Sequence, residues 1–210
     1  MSERPEIECK LNGPYLVRNL EDLRDSRGDR IETKPVMALC RCGGSANKPF
    51  CDGAHRKNGF SGAKLADPVA DRRESYQAKS ITIHDNRSIC AHAGHCTDGL
   101  GSVFKYKSEP WIDPASGAAA SIIETVRSCP SGALSYTIDG VEGEDQQREP
   151  AITVTKDGPY AVVGGALLIE QSWAQGASTE HYTLCRCGAS RNKPFCDGAH
   201  WSIGFKDENV

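Results

Sequence analysis

The sequence predicts an α+β, β-rich fold in which two copies of one small β-hairpin unit flank an inserted α+β segment. Three observations carry this. The chain matches itself when shifted by 145 positions. Each copy opens on alternating apolar residues around a Gly turn, and the stretch between the copies has strand-like and helical runs of its own.

The shift lays residues 5–60 on residues 150–205 without a gap, with 24 of 56 positions identical and 17 of those among the 22 positions 39–60. Two copies make a duplication, not a solenoid array. Ile7, Cys9 and Leu11 alternate in the first copy, Ile152 and Val154 in the second. The turn signals "LNGP" and "KDGP" follow, and then the apolar runs "YLV" and "YAVV", which together predict a hairpin in each copy. Cys9 aligns with Val154 and reads as a small buried apolar residue. Between the copies come a strand-like "SITI" (80–83), a Gly/His/Cys loop (88–102) and "VFKYK" (103–107) with period-two alternation. A helix over 118–128, a strand at the end of "CPSGALSYTI" and a polar, acidic linker over 139–150 complete the insert. The predicted units are 1–67, 68–148 and 149–210.

Composition narrows the function. Among 210 residues, 38% are hydrophobic and only 7% aromatic, so each unit has a thin core that needs a staple, and ten cysteines fit that need. A formal net charge of −3 gives no electrostatic footprint for nucleic acid. The opening "MSERPEIECK" is charged and is no secretory signal. No run approaches the ~20 apolar residues that span a bilayer. The expectation is a soluble, cytoplasmic protein without a membrane partner, whose cysteines bind metal or do redox chemistry instead of pairing. No phosphate-cradling Gly loop, dinucleotide fingerprint or nucleophile elbow supports an enzyme.

The most similar parts of the copies are "CRCGGSANKPFCDGAH", from Cys40 to His55, and "CRCGASRNKPFCDGAH", from Cys185 to His200. Thiolate and imidazole donors suit zinc, iron–sulfur clusters and copper. A structural Cys3His zinc site is one reading. The spacing C-x-C-x8-C-x3-H favours another, because zinc sites usually take cysteines across a longer gap. A C-x-C pair can hold one metal atom while a separate Cys/His pair holds a second, which is the arithmetic of a [2Fe–2S] cluster. Gly43 lets the backbone bend close to sulfur, and Pro49 and Pro194 stiffen the approach to the third cysteine. Asp52 and Asp197 are expected to cap a helical turn that puts Cys51 and His55 on one face. Lys48 and Lys193 read as exposed and solubilising, the alternative being hydrogen bonds to the cluster region.

These segments resemble the CDGSH iron–sulfur domain of the mitoNEET-like family, whose pattern C-x-C-x2-[ST]-x3-P-x-C-D-G-[SAT]-H both copies match at every defined position, with Ala54 and Ala199 before the histidine. The resemblance covers residues 5–60 and 150–205 and implies two [2Fe–2S] clusters. Cys40 and Cys42 would hold one iron and Cys51 and His55 the other. In the second copy the pairs are Cys185 with Cys187, and Cys196 with His200. Single-motif members pair as homodimers under a β-cap, so two motifs in one chain imply an intramolecular pseudo-dimer, a monomer with a pseudo-two-fold axis. The family's membrane anchor is absent from this sequence.

In the insert, "CAHAGHC" (90–96) and "CPSGAL" (129–134) resemble a divergent single-cluster ferredoxin domain. Cys90, Cys96 and Cys129 occupy three ligand positions, and Ala93 stands at the fourth. Three thiolates suit a [3Fe–4S] cluster, or a [4Fe–4S] cluster completed by His92, His95 or water. The alternative is a fold that has lost its cluster and kept its thiols as buried residues or a disulfide, with His92 and His95 as solvated loop imidazoles. The expected function is one-electron transfer, with redox or cluster-acceptor proteins as partners. A cluster carrier or redox/pH sensor is the second reading, and a structural zinc-binding interaction module the third.

Overall fold

The structure, a computed structural model, describes residues 4–65 and 69–208. The predicted boundary at 67/68 therefore lies outside the described residues. In the first copy, β1 (Glu6–Cys9) and β2 (Tyr15–Arg18) form the expected antiparallel hairpin, with Asn12 at φ 45° in its turn. Asn tolerates that left-handed conformation better than most residues. Two short strands follow, β3 (Asp22–Arg24) and β4 (Val36–Leu39).

The insert contains β5 (Arg73–Gln77), β6 (Thr82–Asn86), the short helix α1 (His95–Gly99), α2 (Ala119–Arg127), β7 (Leu134–Ile138) and β8 (Val141–Glu142). Its sheet runs β5-β6-β7-β8, and α2 lies against β7 with Ile122 and Val126 buried. The expected helix and the strand after "CPSGAL" are present. The strand expected at "SITI" is present but starts two residues later, as β6 from Thr82, because Ala78 N–H bonds to the Ile81 carbonyl and closes a turn over the first half of that stretch. "VFKYK" is not a strand. Val103 and Phe104 are consecutive and both fully buried, which period-two alternation forbids. Both amides bond back to Leu100, and Lys107 at φ 57° breaks the extended path.

The second copy repeats the first with β9 (Ala151–Val154), β10 (Tyr160–Val163), β11 (Leu167–Leu168) and β12 (Tyr182–Leu184), then the short helix α3 (Ala199–Ser202). The two copies exchange strands. One sheet runs β11-β1-β2-β4 and the other β12-β10-β9-β3. The exchanged pairs are parallel, Ile7 with Leu168 and Leu23 with Ile152, and a shift of 145 turns one pairing into the other. Ile7, Val17, Leu39 and Leu168 of the first sheet and Ile152, Val162, Leu184 and Leu23 of the second belong to one buried core, none more than 3% exposed. Each such burial stabilises by about 1.5–3 kcal/mol. Tyr15 and Tyr160 meet between the copies edge to face, centroids 6.0 Å apart. Among the described residues, no helix is long and apolar enough to cross a membrane.

Candidate metal centres

Each C-x-C loop hangs from the last strand before it. β4 delivers Cys40, whose amide donates to the Pro49 carbonyl at 2.8 Å, and Cys51 N–H returns to the Ala38 carbonyl at 2.8 Å. The loop is thus a tight hairpin that brings Cys51 back beside Cys40. The second copy does the same, with Cys185 N–H to Pro194 at 2.8 Å and Cys196 N–H to Thr183 at 3.0 Å. A 3-10 turn, Ala54–Arg56, then carries His55, and α3 carries His200. Asp52 and Asp197 are not the N-caps expected. Gly53 and Gly198 hold those positions at φ 88° and 82°. The Asp52 carboxylate instead accepts from Ala46 N–H (2.8 Å) and Ala54 N–H (2.9 Å), and Asp197 from Arg191 N–H (2.8 Å) and Ala199 N–H (3.0 Å). Each carboxylate ties the ligand loop to the histidine-bearing turn.

The donors come in pairs. Cys40 and Cys42 sulfurs lie 3.9 Å apart, and Cys51 Sγ is 3.5 Å from His55 Nδ1. The second copy gives 3.9 Å for Cys185 and Cys187 and 3.5 Å for Cys196 Sγ and His200 Nδ1. A tetrahedral metal with bonds of ~2.3 Å to sulfur and ~2.0–2.1 Å to nitrogen would hold two sulfurs ~3.8 Å apart, and a sulfur and a nitrogen ~3.6 Å apart. Every pair therefore has a separation that suits one metal atom, and Nδ1 is the imidazole nitrogen that each histidine presents to its cysteine. Among the described residues, no three His, Cys, Asp or Glu side chains gather tightly enough for a single ion.

The two sites differ in exposure. Cys185, Cys187, Cys196 and His200 are all buried, whereas Cys42, Cys51 and His55 are partly exposed. Burial pushes the Cys40 and Cys196 thiols up. A proton shared between the Cys185 and Cys187 sulfurs raises the first and lowers the second.

In the insert, Cys90, Cys96 and Cys129 line one cavity of about 1140 Å³. Burial raises Cys90 to about 11 and raises Cys96, and a charge on Cys129 would raise both further. His92 and His95 line the same cavity. Both residues are exposed; His95 Nδ1 lies 2.9 Å from the Ser128 carbonyl, and the His92 backbone carbonyl accepts from Trp201 Nε1 at 3.3 Å.

Residues 12–56 and 157–201 match the family model described as iron-binding zinc finger CDGSH type. Residues 76–139 match the model described as divergent 4Fe-4S mono-cluster. The chain belongs to the CDGSH family. It carries two CDGSH copies around a divergent 4Fe-4S domain and is an iron–sulfur protein. It is also similar to the uncharacterized protein YjdI of Escherichia coli strain K12 and to that of Escherichia coli O157:H7. Each is 39% identical over 61 residues, which is 29% of this chain and 80% of the relative. No solved structure matches the chain.

Within the CDGSH copies, several residues with work at the site were not legible as such in the sequence. The residue between the first two cysteines is Arg41 or Arg186. Arg186 is fully buried, ion-paired with Asp207 and hydrogen-bonded to the Gly158 and Thr155 carbonyls at 2.8 Å. Arg41 donates to the Gly62 carbonyl at 3.0 Å. Each guanidinium lies against the aromatic ring of the matched "GF", 5.7 Å from Phe60 and 5.0 Å from Phe205, which accounts for that repeat. Tyr15 of the first copy donates to the Cys185 and Pro194 carbonyls (2.9 and 3.1 Å), and Tyr160 to Cys40 and Pro49 (2.9 and 3.0 Å). Lys193 is not the exposed residue expected. It is buried, with Nζ 2.6 Å from the Ser190 carbonyl, and the half-buried Lys48 makes the equivalent 2.7 Å bond to Ser45. Cys9 is half-buried against the core. A Cβ at Gly43 would lie 2.6 Å from the Cys187 carbonyl oxygen, and one at Gly188 2.8 Å from that of Cys42. Gly43 is therefore required by the approach of the other copy's ligand loop.

Proposed function

We propose that the chain binds two [2Fe–2S] clusters, each through three cysteines and one histidine, and serves in one-electron transfer. Cys40 and Cys42 would hold one iron of the first cluster, and Cys51 and His55 the other. Cys185, Cys187, Cys196 and His200 would do the same in the second. The observation that carries this reading is the pairing of donors at separations suited to one tetrahedral metal each, found twice with the same values. A cluster with one imidazole ligand supplies a one-electron centre at a higher potential than an all-thiolate one. The strands exchanged between the copies support an intramolecular pseudo-dimer with a shared β-cap. In the insert, Cys90, Cys96 and Cys129 would hold a third cluster, [3Fe–4S] or [4Fe–4S]. Redox proteins are the expected partners.

A second reading, delivery of clusters to acceptor proteins, is favoured by one observation. Cys42, Cys51 and His55 reach solvent in the first copy. Mixing the purified protein with an apo-ferredoxin separates the two. Electron transfer predicts retention of iron, and delivery predicts its appearance on the acceptor.

A further inference from the structure

The insert does not sit symmetrically between the CDGSH copies. Its cysteine loop packs on the second CDGSH motif. A Cβ at Gly198 would lie 2.6 Å from His92 Cδ2. Trp201, next to His200, donates its indole N–H to the His92 carbonyl at 3.3 Å. Asn192 Nδ2, inside the second ligand loop, donates to the Ser88 carbonyl at 2.6 Å, two residues before Cys90. The cavity that holds Cys90, Cys96 and Cys129 is walled on one side by Asp197, Gly198 and Ala199 of the second "CDGAH". The first copy is built differently at the matching place. Gly53, the counterpart of Gly198 with nearly the same φ (88° against 82°), has no described atom within 4 Å of a Cβ placed on it. The two C-x-C loops meanwhile touch each other through Gly43 and Gly188.

We infer that the contact of His92 with Gly198 couples the insert's cysteine site to the second CDGSH site, which makes the second copy the neighbour of both other sites and leaves the first copy as the far end. His92 is a positioning residue in this arrangement: exposed on one side, it fills the space between the two ligand loops with its ring. The burial pattern agrees. All four donors of the second copy are buried, as befits an inner position, while the first copy and the insert cavity open to solvent. The sequence repeat makes the copies look equivalent, and the docking of the insert makes them unequal. The inference rests on the reading that all three sites hold iron–sulfur clusters.

The test is electron paramagnetic resonance on the intact, reduced chain, read as the magnetic interaction between the insert centre and a CDGSH centre. We expect the interaction in the wild-type protein, its loss in Cys196→Ser, and its persistence in Cys51→Ser. Gly198→Ala is expected to weaken it, because the new methyl collides with His92, while Gly53→Ala leaves it unchanged. The two substitutions impose the same backbone strain, so their difference isolates the contact. If Gly198→Ala loses its far-ultraviolet circular dichroism, the Cys196→Ser and Cys51→Ser pair decides alone. An interaction that survives Cys196→Ser, or falls equally in both glycine variants that fold, overturns the inference, as does an insert that binds no iron. CDGSH copies that bind no iron overturn instead the reading beneath it.

Discussion

Tyr15→Phe is expected to loosen the metal site of the copy that does not contain it. The Tyr15 ring is completely buried, and its hydroxyl lies 2.9 Å from the Cys185 carbonyl and 3.1 Å from that of Pro194. Burial holds the phenol well above its ordinary range, so it remains a donor at any working pH. Pro194 keeps a second partner, the Cys185 amide at 2.8 Å, but the Cys185 carbonyl loses this donor in a site that water does not reach. Leaving a buried acceptor without its partner costs about 1–3 kcal/mol. Expressed as a local opening equilibrium, that is roughly 5- to 150-fold. Chelator-driven loss of the visible absorbance should accelerate by that factor for the second-copy cluster, measured in a Cys51→Ser background. Tyr160→Phe should act on the first-copy cluster, measured in a Cys196→Ser background. Loss that accelerates in the tyrosine's own copy, or in neither, would refute the cross-copy argument.

Three further predictions follow from other parts of the molecule. Arg186→Ala removes a fully buried guanidinium that is ion-paired with Asp207 and hydrogen-bonded to the Gly158 and Thr155 carbonyls, and should lower stability to urea by more than Arg41→Ala, whose hydrogen-bond partners are carbonyls alone. Asp85 is 1% exposed, and burial raises its carboxyl to about 6; Arg87 Nε comes within 2.9 Å, yet neither oxygen receives an aligned hydrogen bond. The folded state therefore binds the extra proton between about pH 4 and 6. Stability falls as pH rises through that window, by about 3 kcal/mol in total. Asp85→Asn should remove most of that slope, raising stability at pH 7.5 and changing it little near pH 4; equal effects at both would contradict the assignment. Acid should strip the half-exposed first-copy site before the buried second one, since protonated imidazole no longer binds metal. His55→Cys should slow the first phase of absorbance loss and lower the potential of that centre.

The ligand motifs were legible because chemistry restricts them to a fixed spacing, and the hairpins because Asn12 and Asp157 mark turns between alternating runs. Other features were not. The exchanged strands β3 and β11 are two or three residues long, too short for any periodicity, and their pairing joins residues far apart in the chain. The edge strand β5, "RESYQ", has no buried residue on either face, so no apolar alternation announced it. "VFKYK" alternates by accident, and burial of both Val103 and Phe104 in a turn overrode the pattern. Lys193 looked like a surface lysine because nothing local reveals that its ammonium bonds the Ser190 carbonyl three residues back. The docking of "CAHAGHC" on the second "CDGAH" left no mark in either stretch, because a Gly–His contact has no spacing rule.

The central claim is that paired donors hold two metals per CDGSH copy. Iron, zinc and acid-labile sulfide measured on one purified sample test it most directly, with Cys90, Cys96 and Cys129 replaced by serine to silence the insert. The account predicts two iron and two sulfide for each copy, with a reduced-state paramagnetic signal. One zinc per copy without sulfide would contradict it.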